Sequence, residues 1–265
     1  MTTICFINQK GGCGKSSTCF HLAGAFAQQG LNVLLVDADP QGSLSQGFLG
    51  SAVVEQLAPS ETLAAVFRDD YGPLPRATAV DGLALIPANQ HLAAHNVPTP
   101  EACGLQQFAI HALLERQRGF DLTLIDCPPN LYLCSWSALI AADFVVIPVP
   151  PEDFGTQGLG VVQQAIEQAR LLNPRLELLG HLVTRSDSRL LVHRAYERKL
   201  RQLYGIAVLT TVIPEAAAFK VALACRQPVT VSQPRSTAAR ITAQLASELL
   251  ERAALRVPIT ATVAT

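Results

Sequence analysis

Two lysines flank a run of glycines near the start of the chain, in the stretch Lys10-Gly11-Gly12-Cys13-Gly14-Lys15-Ser16-Ser17. The stretch follows a short apolar run that predicts a strand, and it leads into residues 16–29, which predict a helix. Glycines allow backbone amides to turn towards phosphate oxygens, and a helix N-terminus adds positive potential. We therefore predict a phosphate-binding loop in which Lys15 meets the β- and γ-phosphates of a nucleotide and Ser16 binds Mg²⁺.

Two acidic motifs follow other predicted strands. DADPQGS, residues 37–43, ends one apolar strand, and LIDCPP places Asp126 at the end of another. Ligands of a parallel sheet bind beyond the carboxyl ends of its strands, so these carboxylates are expected beside the loop. We expect Ser16, Asp39 and Asp126 to be the metal-binding residues, with Asp126 holding Mg²⁺ through water. The simpler interpretations are a tight turn for the glycines, a surface carboxylate for Asp126 and a merely buried Cys127.

Apolar strands alternate with helices along almost the whole chain. This pattern predicts a three-layer α/β fold, with a mostly parallel twisted sheet covered by helices on both faces. We expect a single domain over residues 1–265, in which residues 50–79 are the least regular part. The predicted strands are TICFIN, NVLLVDAD, GLALIPAN, FDLTLIDCPP, ADFVVIPVPP, LELLGHLVTR and IAVLTTVIP, and the predicted helices span residues 16–29, 105–118, 159–172, 190–204 and 236–252.

Composition excludes several classes of protein. Hydrophobic residues make up 49% of the chain and charged residues 15%, which argues against a disordered chain or a nucleic-acid-binding tail. The seven cysteines are odd in number and none forms a C-x-x-C pair, which argues against a disulfide framework and a zinc site. A reducing cytoplasm fits best, and neither a signal peptide nor an apolar run of membrane-spanning length is expected. Cys13, at a predicted helix N-terminus, is a position where the pKa of a thiol can be lowered.

The motifs resemble those of the ParA/MinD family of ATPases. KGGCGKSS is similar to the family's deviant Walker A motif, DADPQGS to its second-aspartate motif and LIDCPP to its Walker B motif. TVIP at 211–214, followed by RQPVTVSQPRS at 226–236, resembles the segment near the adenine in ParA proteins. The resemblance covers nearly the whole chain, and the D-P-Q-G motif favours the Soj-like partition branch of ParA. It implies a P-loop NTPase fold that binds ATP and Mg²⁺.

The resemblance gives the two lysines different roles. Lys10 matches the lysine that reaches across a nucleotide-sandwich dimer to the partner's phosphates, and Asp39 matches the aspartate that orients the attacking water. Lys10, Lys15 and Asp39 are thus the expected catalytic residues of a weak ATP hydrolase that DNA and a partner protein stimulate. The expected nucleotide-binding residues are Lys10, Gly11, Gly12, Cys13, Gly14, Lys15, Ser16, Ser17 and Pro214.

The resemblance also implies a cycle and partners. ATP binding leads to a homodimer that binds DNA of any sequence, and a ParB-like centromere-binding protein or a cargo adaptor then stimulates hydrolysis. The implied cargo is a plasmid or a chromosome origin, and the implied location is the cytoplasm, on the nucleoid.

An arginine-rich segment is the expected DNA contact. Six Arg or Lys residues and two acids lie from Arg185 to Arg201, a local excess of four positive charges in a chain of net charge −1. Arg194, Arg198 and Arg201 are spaced to share one helical face, and Arg189 matches a family position linked to DNA binding. We expect these last four to bind backbone phosphates, the alternative being an ordinary solvated helix face. The residues expected to pack on the sheet from the opposite face are Val192, Tyr196, Leu200 and Leu203.

The chain departs from the family pattern in three places. Glu215 and Ala216 stand where many ParA proteins carry Arg-Asn, so neither the adenine contact of that asparagine nor the DNA contact of that arginine carries over. Because the first strand is predicted at the start of the sequence, we expect no operator-binding domain before it and no sequence-specific repression. Pro258 interrupts a C-terminal sequence that lacks the basic amphipathic helix of MinD proteins, so no membrane attachment is expected.

Two alternatives stay open at this point. A close relative could position a protein cargo such as a chemoreceptor array or a microcompartment, because cargo choice lies in the partner. A metabolic enzyme could also use the same scaffold, for example an ATP-dependent ligase or an iron–sulfur reductase. A reductase would need cysteines that project to a dimer axis, for which Cys127 and Cys134 are the candidates.

Overall fold

A seven-stranded sheet forms the centre of the protein, and its neighbouring strands are parallel except for one antiparallel pair at an edge. The structure, a computed structural model, describes residues 1–68, 71–151 and 156–256. The strands are β1 (Thr2–Phe6), β2 (Val33–Asp37), β3 (Arg76–Ala77), β4 (Leu83–Ile86), β5 (Leu122–Asp126), β6 (Phe144–Val149) and β7 (Glu177–Val183). Their order is β3-β4-β2-β5-β1-β6-β7, with β3 antiparallel to β4.

Helices cover both faces of this sheet. The α-helices are α1 (Lys15–Gln28), α2 (Ser43–Leu49), α3 (Ser51–Gln56), α4 (Ala109–Glu115), α5 (Leu133–Ala141), α6 (Thr156–Ala169), α7 (Leu191–Tyr204), α8 (Ala217–Ala224), α9 (Val229–Ser232) and α10 (Thr237–Arg256). Helices α4 to α7 contribute to one hydrophobic cluster, and α1, α2 and α10 contribute to a second. The predicted three-layer α/β fold is therefore confirmed.

The strands are apolar along their whole length because both faces are buried. In β1, Cys5 packs into the first cluster and Phe6 into the second, and Val145 and Val146 of β6 divide in the same way. Successive side chains of a strand point to opposite faces, so a strand between two helical layers has no solvated side. The strands β2, β5 and β1 are adjacent and parallel, so their carboxyl ends lie side by side at the same end of the sheet.

The prediction of a strand over residues 206–214 is wrong. The segment begins with a 3₁₀ turn, Gly205–Ala207, and forms two isolated bridges, from His181 to Val208 and from Ser186 to Pro214, rather than a continuous strand ladder. Side chains of α10 bind the backbone groups that a neighbouring strand would have used. Glu248 accepts the amides of Thr210 and Thr211, and Arg252 donates to the carbonyls of Ile206 and Val208.

Three helix predictions need correction at their ends. The helix expected over residues 159–172 is α6, which ends at Ala169. The helix expected over residues 105–118 starts only at Ala109, after a 3₁₀ stretch, Pro100–Phe108, in which Gly104 has a φ of 54°. The last helix runs to Arg256 rather than to residue 252. The break expected at Pro258, and the rest of the C-terminal sequence, lie outside the described residues.

Candidate nucleotide site

A cavity of about 570 Å³ opens at the carboxyl edge of the sheet, between the loop that joins β1 to α1 and the segment before α8. Every loop residue that we predicted to bind phosphate lines this cavity, except Lys10. The lining residues are Gly11, Gly12, Cys13, Gly14, Lys15, Ser16, Ser17, Thr18, Phe20, Asp39, Gln41, Ser43, Pro129, Thr184, Arg185, Ile213, Pro214, Glu215, Ala216, Phe219, Lys220 and Leu223.

The loop conformation depends on its glycines. Gly12 has a φ of 71° and Gly14 a φ of 91°, a region that side chains with a Cβ rarely adopt. Gly14 caps α1, no side chain caps the helix, and no acidic residue lies in its first turn. The unsatisfied amides and the positive end of the helix dipole therefore remain available to an anion.

Lys15 is buried in the loop, with 6% of its surface exposed. Its Nζ donates to the carbonyl of Asn8 at 3.0 Å and to the carbonyl of Lys10 at 3.3 Å. A buried ammonium held only by neutral groups favours a nearby anion strongly, because water does not screen the charge. The position suits a phosphate in the cavity.

Two buried carboxylates lie opposite each other at the strand ends. Asp126 of β5 pairs in register with Asp37 of β2, and neither is exposed. Asp37 is hydrogen-bonded, since one oxygen accepts from the amide of Asp39 at 3.1 Å and the other from the amide and hydroxyl of Ser45 at 2.8 and 2.7 Å. Burial raises the pKa of Asp37 to about 7, and the bonds from Ser45 limit that rise.

Asp126 is the least satisfied polar side chain at the strand ends. Both of its carboxylate oxygens are buried without a hydrogen-bond partner among the described residues. Burial, followed by the charge of Asp37, raises the pKa of Asp126 well above its usual range. The hydroxyl of Ser16 is close enough to lower that pKa, but it does not reach hydrogen-bond geometry. An orphaned buried carboxylate beside a serine hydroxyl fits a cation or its bound water.

The donor set fits Mg²⁺ rather than a metal held by protein ligands alone. In the described part of the chain no three His, Cys, Asp or Glu side chains group closely enough to enclose a metal ion. Mg²⁺ uses few protein oxygens and takes its other ligands from water and phosphate. The oxygen groups of Ser16 and Asp126, next to a phosphate loop, match that requirement.

Asp39 faces the cavity, with 8% of its surface exposed. One carboxylate oxygen accepts from the amide of Gln41 at 2.9 Å, and burial raises the pKa of the group. The Asp39 backbone amide donates to Asp37, which fixes the turn that follows β2. Asp39 is therefore held at the cavity wall by the turn.

Lys10 occupies a different position from Lys15. It is partly exposed and is not among the residues that line the cavity. Its amide donates to the side chain of Asn8 at 3.0 Å, and its carbonyl accepts from Lys15, so the backbone of Lys10 belongs to the loop. Cys13 lies between the two lysines. Burial raises its thiol pKa, which corrects the expectation of a lowered value.

Sequence reasoning did not indicate the contacts that four of the lining residues make. Thr184 donates its hydroxyl to the carbonyl of Cys13 at 2.7 Å, and Arg185 donates Nη1 to the carbonyl of Gly12 at 2.9 Å. Glu215 accepts from Arg185 at 3.1 Å and from Lys220 at 2.8 Å. Thr184 and Arg185 lie some 170 residues from the loop that they contact, so no local pattern could have indicated them.

The predicted arginine stripe lies mostly on the surface of α7. Arg194 and Arg198 are exposed, whereas Arg201 is half-buried and pairs with Glu197 at 2.9 Å. Arg189 is exposed at the start of the segment and forms a two-bond ion pair with Asp187. Tyr196 and Leu200 are buried as predicted, but the expectation for Val192 and Leu203 is wrong, because each is about half exposed.

Comparison with known proteins identifies the family. A family model described as an AAA domain matches residues 1–178. The chromosome-partitioning ATPase Soj of Thermus thermophilus is 36% identical over 252 residues, which cover 94% of this chain and 95% of that protein. The chain belongs to the ParA/MinD family of ATPases. A second relative is the sporulation initiation inhibitor protein Soj of Bacillus subtilis, which is 32% identical. The match covers 93% of this chain and 97% of that protein.

A solved structure supports the P-loop fold of this ParA/MinD protein. Cobyrinic acid a,c-diamide synthase from Mycobacterium smegmatis, with bound ADP and magnesium, matches with a TM-score of 0.77. The two chains are 28% identical, and the match covers 96% of each. The P-loop NTPase architecture expected from the motifs is thus confirmed.

The cysteines of this ParA/MinD protein do not favour an iron–sulfur reductase. Cys127 and Cys134 are both fully buried in the first hydrophobic cluster. Burial raises the pKa of the Cys134 thiol, and a hydrogen bond with Cys5 that favours the protonated thiol, followed by burial, raises that of Cys127. Neither thiol reaches the surface, where a cluster shared by two subunits would need it. Within the described residues, no helix combines the length and the apolar character needed to cross a membrane.

Proposed function

We propose that this protein is a ParA-type partition ATPase, in which ATP and Mg²⁺ drive a sandwich homodimer that binds DNA without sequence preference. The observation that carries the proposal is the separation of the two lysines. Lys15 is buried in the cavity of its own chain, whereas Lys10 is partly exposed and outside the cavity lining. A cation in that position is suited to the phosphates of a second subunit, where it would neutralise charge only in the dimer.

The nucleotide roles follow from the cavity. The amides of Gly11, Gly12, Cys13 and Gly14 cradle the phosphates, Lys15 binds the β- and γ-phosphates, and Ser17 supports the first turn of α1. Ser16 and Asp126 hold Mg²⁺, with Asp126 acting through water, and Asp39 completes the predicted metal set. The apolar end of the cavity, which includes Pro214, receives the base.

Hydrolysis needs alignment more than covalent chemistry. When bound, Mg²⁺ would stabilise the negative charge that develops on the phosphate oxygens during hydrolysis. Asp39, held at the cavity wall by Gln41, orients the attacking water in line with the γ-phosphate. Lys15 and the partner's equivalent of Lys10 stabilise the charge that spreads onto the γ-phosphate oxygens. Hydrolysis removes the group that the second lysine binds, so the dimer separates.

The DNA contact is proposed for the exposed face of α7. Arg194 and Arg198 are exposed one turn apart and form no ion pair with any of the described residues. Arg189 and Arg201 belong to the same surface, although each is paired with an acid. The stripe of one subunit has few phosphate contacts, whereas two stripes in a dimer add their counterion release. This coupling makes DNA binding depend on ATP.

The partner and the cargo complete the proposal. A ParB-like centromere-binding protein or a cargo adaptor stimulates the weak intrinsic hydrolysis and releases the dimer from DNA. The likeness to the two Soj proteins, named for chromosome partitioning and for sporulation control, favours a chromosome or plasmid cargo over a protein assembly. A cytoplasmic protein that associates with the nucleoid follows from this cycle.

A metabolic enzyme on the same scaffold is the second candidate. The observation in its favour is the structural likeness to a cobyrinic acid a,c-diamide synthase at 28% identity. Such an enzyme would consume ATP in the presence of a small acidic substrate and would ignore DNA. An ATPase rate that rises with random-sequence DNA favours partition, and a rate that ignores DNA favours the synthase-like activity.

The experiment for the DNA surface is a pair of charge reversals. Arg194→Glu/Arg198→Glu should abolish binding to random DNA while ATP-induced dimerisation persists. In wild type Arg194 and Arg198 of each subunit give four contacts in a dimer and a slope of log affinity against log salt of about −3.6, since each contact contributes about −0.9. Contacts from Arg189 and Arg201 would make the slope steeper. Arg118→Glu/Arg175→Glu, at the opposite edge of the sheet, makes the same charge change and should retain DNA binding. Equal loss in both variants, or loss in neither, would refute the assignment.

A further inference from the structure

Arg185 connects the phosphate loop to the segment at the nucleoside end of the cavity. Its Nη1 donates to the carbonyl of Gly12 at 2.9 Å, and its Nε donates to Glu215 at 3.1 Å. We propose that Arg185 is a positioning residue that braces these two walls and thereby sets the affinity for the nucleotide. Glu215, at the position where the family resemblance leads one to expect an arginine, is its anchor.

The contact with Gly12 orients the phosphate-binding amides. A trans peptide unit points its carbonyl and the following amide in opposite directions. Arg185 holds the carbonyl of Gly12, and Thr184 holds the carbonyl of Cys13 at 2.7 Å. The amides of Cys13 and Gly14 are thus held on the opposite side of the loop from these two side chains. Two consecutive residues of one segment therefore fix two consecutive peptide units of the loop before any nucleotide arrives.

The backbone at Arg185 is held in an uncommon conformation. Its φ is 53°, and in the described part of the chain only one other non-glycine residue, Arg226, has a positive φ. The next residue locks the segment in place, because the Ser186 amide donates to Ile213 at 3.1 Å and its carbonyl accepts from Glu215 at 3.0 Å. Strained backbone persists where its surroundings determine it, and such positions concentrate at ligand sites. The strain here places the guanidinium between the two walls.

Glu215 is suited to anchor the guanidinium because it is kept ionised. Lys220 donates to one carboxylate oxygen at 2.8 Å while Arg185 donates to the other, and these contacts, with that of Lys220 the larger, lower the pKa of Glu215. Glu215, Lys220 and Arg185 all line the cavity. A planar guanidinium can bond in two directions at once, which the compact ammonium of a lysine does less well.

The bracing affects binding rather than the hydrolytic step. Arg185 contacts the loop and Glu215, and both are needed by ATP and by ADP. Loss of Arg185 should weaken the binding of ATP and of ADP to a similar degree, and it should raise the KM for ATP with little change in kcat. The inference rests on the nucleotide site of the proposed function, but it requires neither DNA nor a partner protein.

The test measures binding of fluorescent ATP and ADP analogues with Mg²⁺. Arg185→Ala should weaken both about tenfold, the loss expected for one hydrogen bond from a charged group. Arg185→Lys should recover part of the affinity. Glu215→Ala should weaken binding less, and the double variant should bind no more weakly than Arg185→Ala alone, because the two residues act as one unit. Arg240→Ala, an exposed arginine of α10 outside the cavity, is the matched control and should bind like wild type.

Several outcomes overturn the inference. They are unchanged affinity in Arg185→Ala, additive losses in the double variant, or a loss confined to kcat. Thermal unfolding without nucleotide separates bracing from folding, since Arg185→Ala should melt like wild type yet gain less from added nucleotide. If Arg185→Ala melts far below wild type, and salt or an osmolyte restores both its stability and its nucleotide affinity, then Arg185 has only a structural role and the inference is wrong. Wild type that binds neither analogue would overturn the nucleotide site itself, together with this inference.

Discussion

Asp126 is a buried carboxylate that the described residues of the protein leave without a hydrogen-bond partner. Its oxygens have no hydrogen-bond partner within the described structure, and Asp37 lies opposite it in the sheet. Burying such a group destabilises the fold unless it is protonated or neutralised by a cation. Residues that break the rules of a stable core in this way concentrate at functional sites. Asp126 therefore lowers the stability of the fold, and the same unsatisfied carboxylate is suited to bind a cation.

Replacing Asp126 should reveal that cost. The folded chain keeps a proton on Asp126 at pH values where the unfolded chain, with a pKa near 4, has released it. The stability of the metal-free wild type therefore falls as the pH rises above about 4. Asp126→Asn cannot ionise, so it should melt several degrees higher than wild type at pH 8 and closer to it at pH 5. Thermal unfolding at both pH values without metal measures this difference.

The same variant should lose function. Asp126→Asn should bind the ATP analogue more weakly in Mg²⁺ and respond less to added Mg²⁺ than wild type. An Asp126→Asn protein that melts below wild type at pH 8, or that binds Mg²⁺ and ATP equally well, would contradict the metal role.

Lys15 and Asp39 should fail at different stages of the cycle. In the proposed cycle Lys15 contacts phosphate in every nucleotide state, so Lys15→Ala should abolish ATP binding. The proposed role of Asp39 in aligning water matters at hydrolysis, and Ser16 and Asp126 remain to hold Mg²⁺, so Asp39→Ala should bind ATP, hydrolyse it slowly and persist as a dimer. Size-exclusion chromatography with ATP measures the dimer, and an Asp39→Ala protein that stays monomeric while wild type dimerises would refute its role.

The position of the predicted loop at the cavity could be inferred because its sequence pattern is local. Gly11 to Ser16 are contiguous, and the strand and helix around them have clear patterns. The contacts of Thr184 and Arg185 with the loop were not predictable, since they depend on how β7 ends beside β6, which in turn pairs with β1 in the folded sheet. Glu215 was recognised as a departure from the family, but its two ion pairs could only be found in the structure.

The turn between β2 and α2 depends on a glycine at one position. Gly42 has a φ of 63°, and a Cβ there would lie 2.6 Å from the carbonyl oxygen of Ala88. Its amide donates to the carbonyl of Asp39, so the close approach of this turn to residue 88 also holds Asp39 in place. The glycine of the D-P-Q-G motif therefore acts on the element rather than on the nucleotide.

Gly42→Ala should be more damaging than another glycine substitution of similar backbone conformation. Gly30 has a φ of 86° and open space where a Cβ would lie. Gly30→Ala should cost about 1 kcal/mol for the backbone alone. Gly42→Ala should cost roughly 1–3 kcal/mol more, because the new methyl group forces backbone to move. Chemical denaturation of both variants measures the difference, and equal losses would show that the contact with Ala88 is unimportant.

Most elements followed from the periodicity of the sequence, and the failures depend on information that a local pattern lacks. Residues 206–214 are apolar and β-branched enough to predict a strand, yet Glu248 and Arg252 of α10 occupy their backbone groups. Val192 and Leu203 have the spacing of a buried helical face, yet α7 buries only Tyr196 and Leu200. The contacts with α10 decided the outcome for residues 206–214, and a local pattern does not contain them; the spacing in α7 predicts a shared face but not how much of it is covered.

In the proposed cycle, two copies of the whole molecule complete each nucleotide site. Lys10→Ala should bind the ATP analogue like wild type, because Lys10 lies outside its own cavity lining, but it should fail to dimerise. Light scattering with ATP and Mg²⁺ measures the mass of both proteins, and the Asp39→Ala background prevents hydrolysis from hiding the dimer. A Lys10→Ala protein that dimerises as well as its parent would show that Lys10 does not act across the interface.

The most direct test of the central claim is the affinity of the wild-type protein for random-sequence DNA in ATP compared with ADP, each with Mg²⁺ at one fixed salt concentration. The net charge of the chain is only −1, so DNA binding must come from the local arginine surface, and one copy of that surface is weak. We predict tight binding with ATP, little or none with ADP, and a steep decrease with salt in the ATP state. Equal affinity in the two nucleotides, or no binding in either, would contradict an ATP-switched DNA-binding dimer.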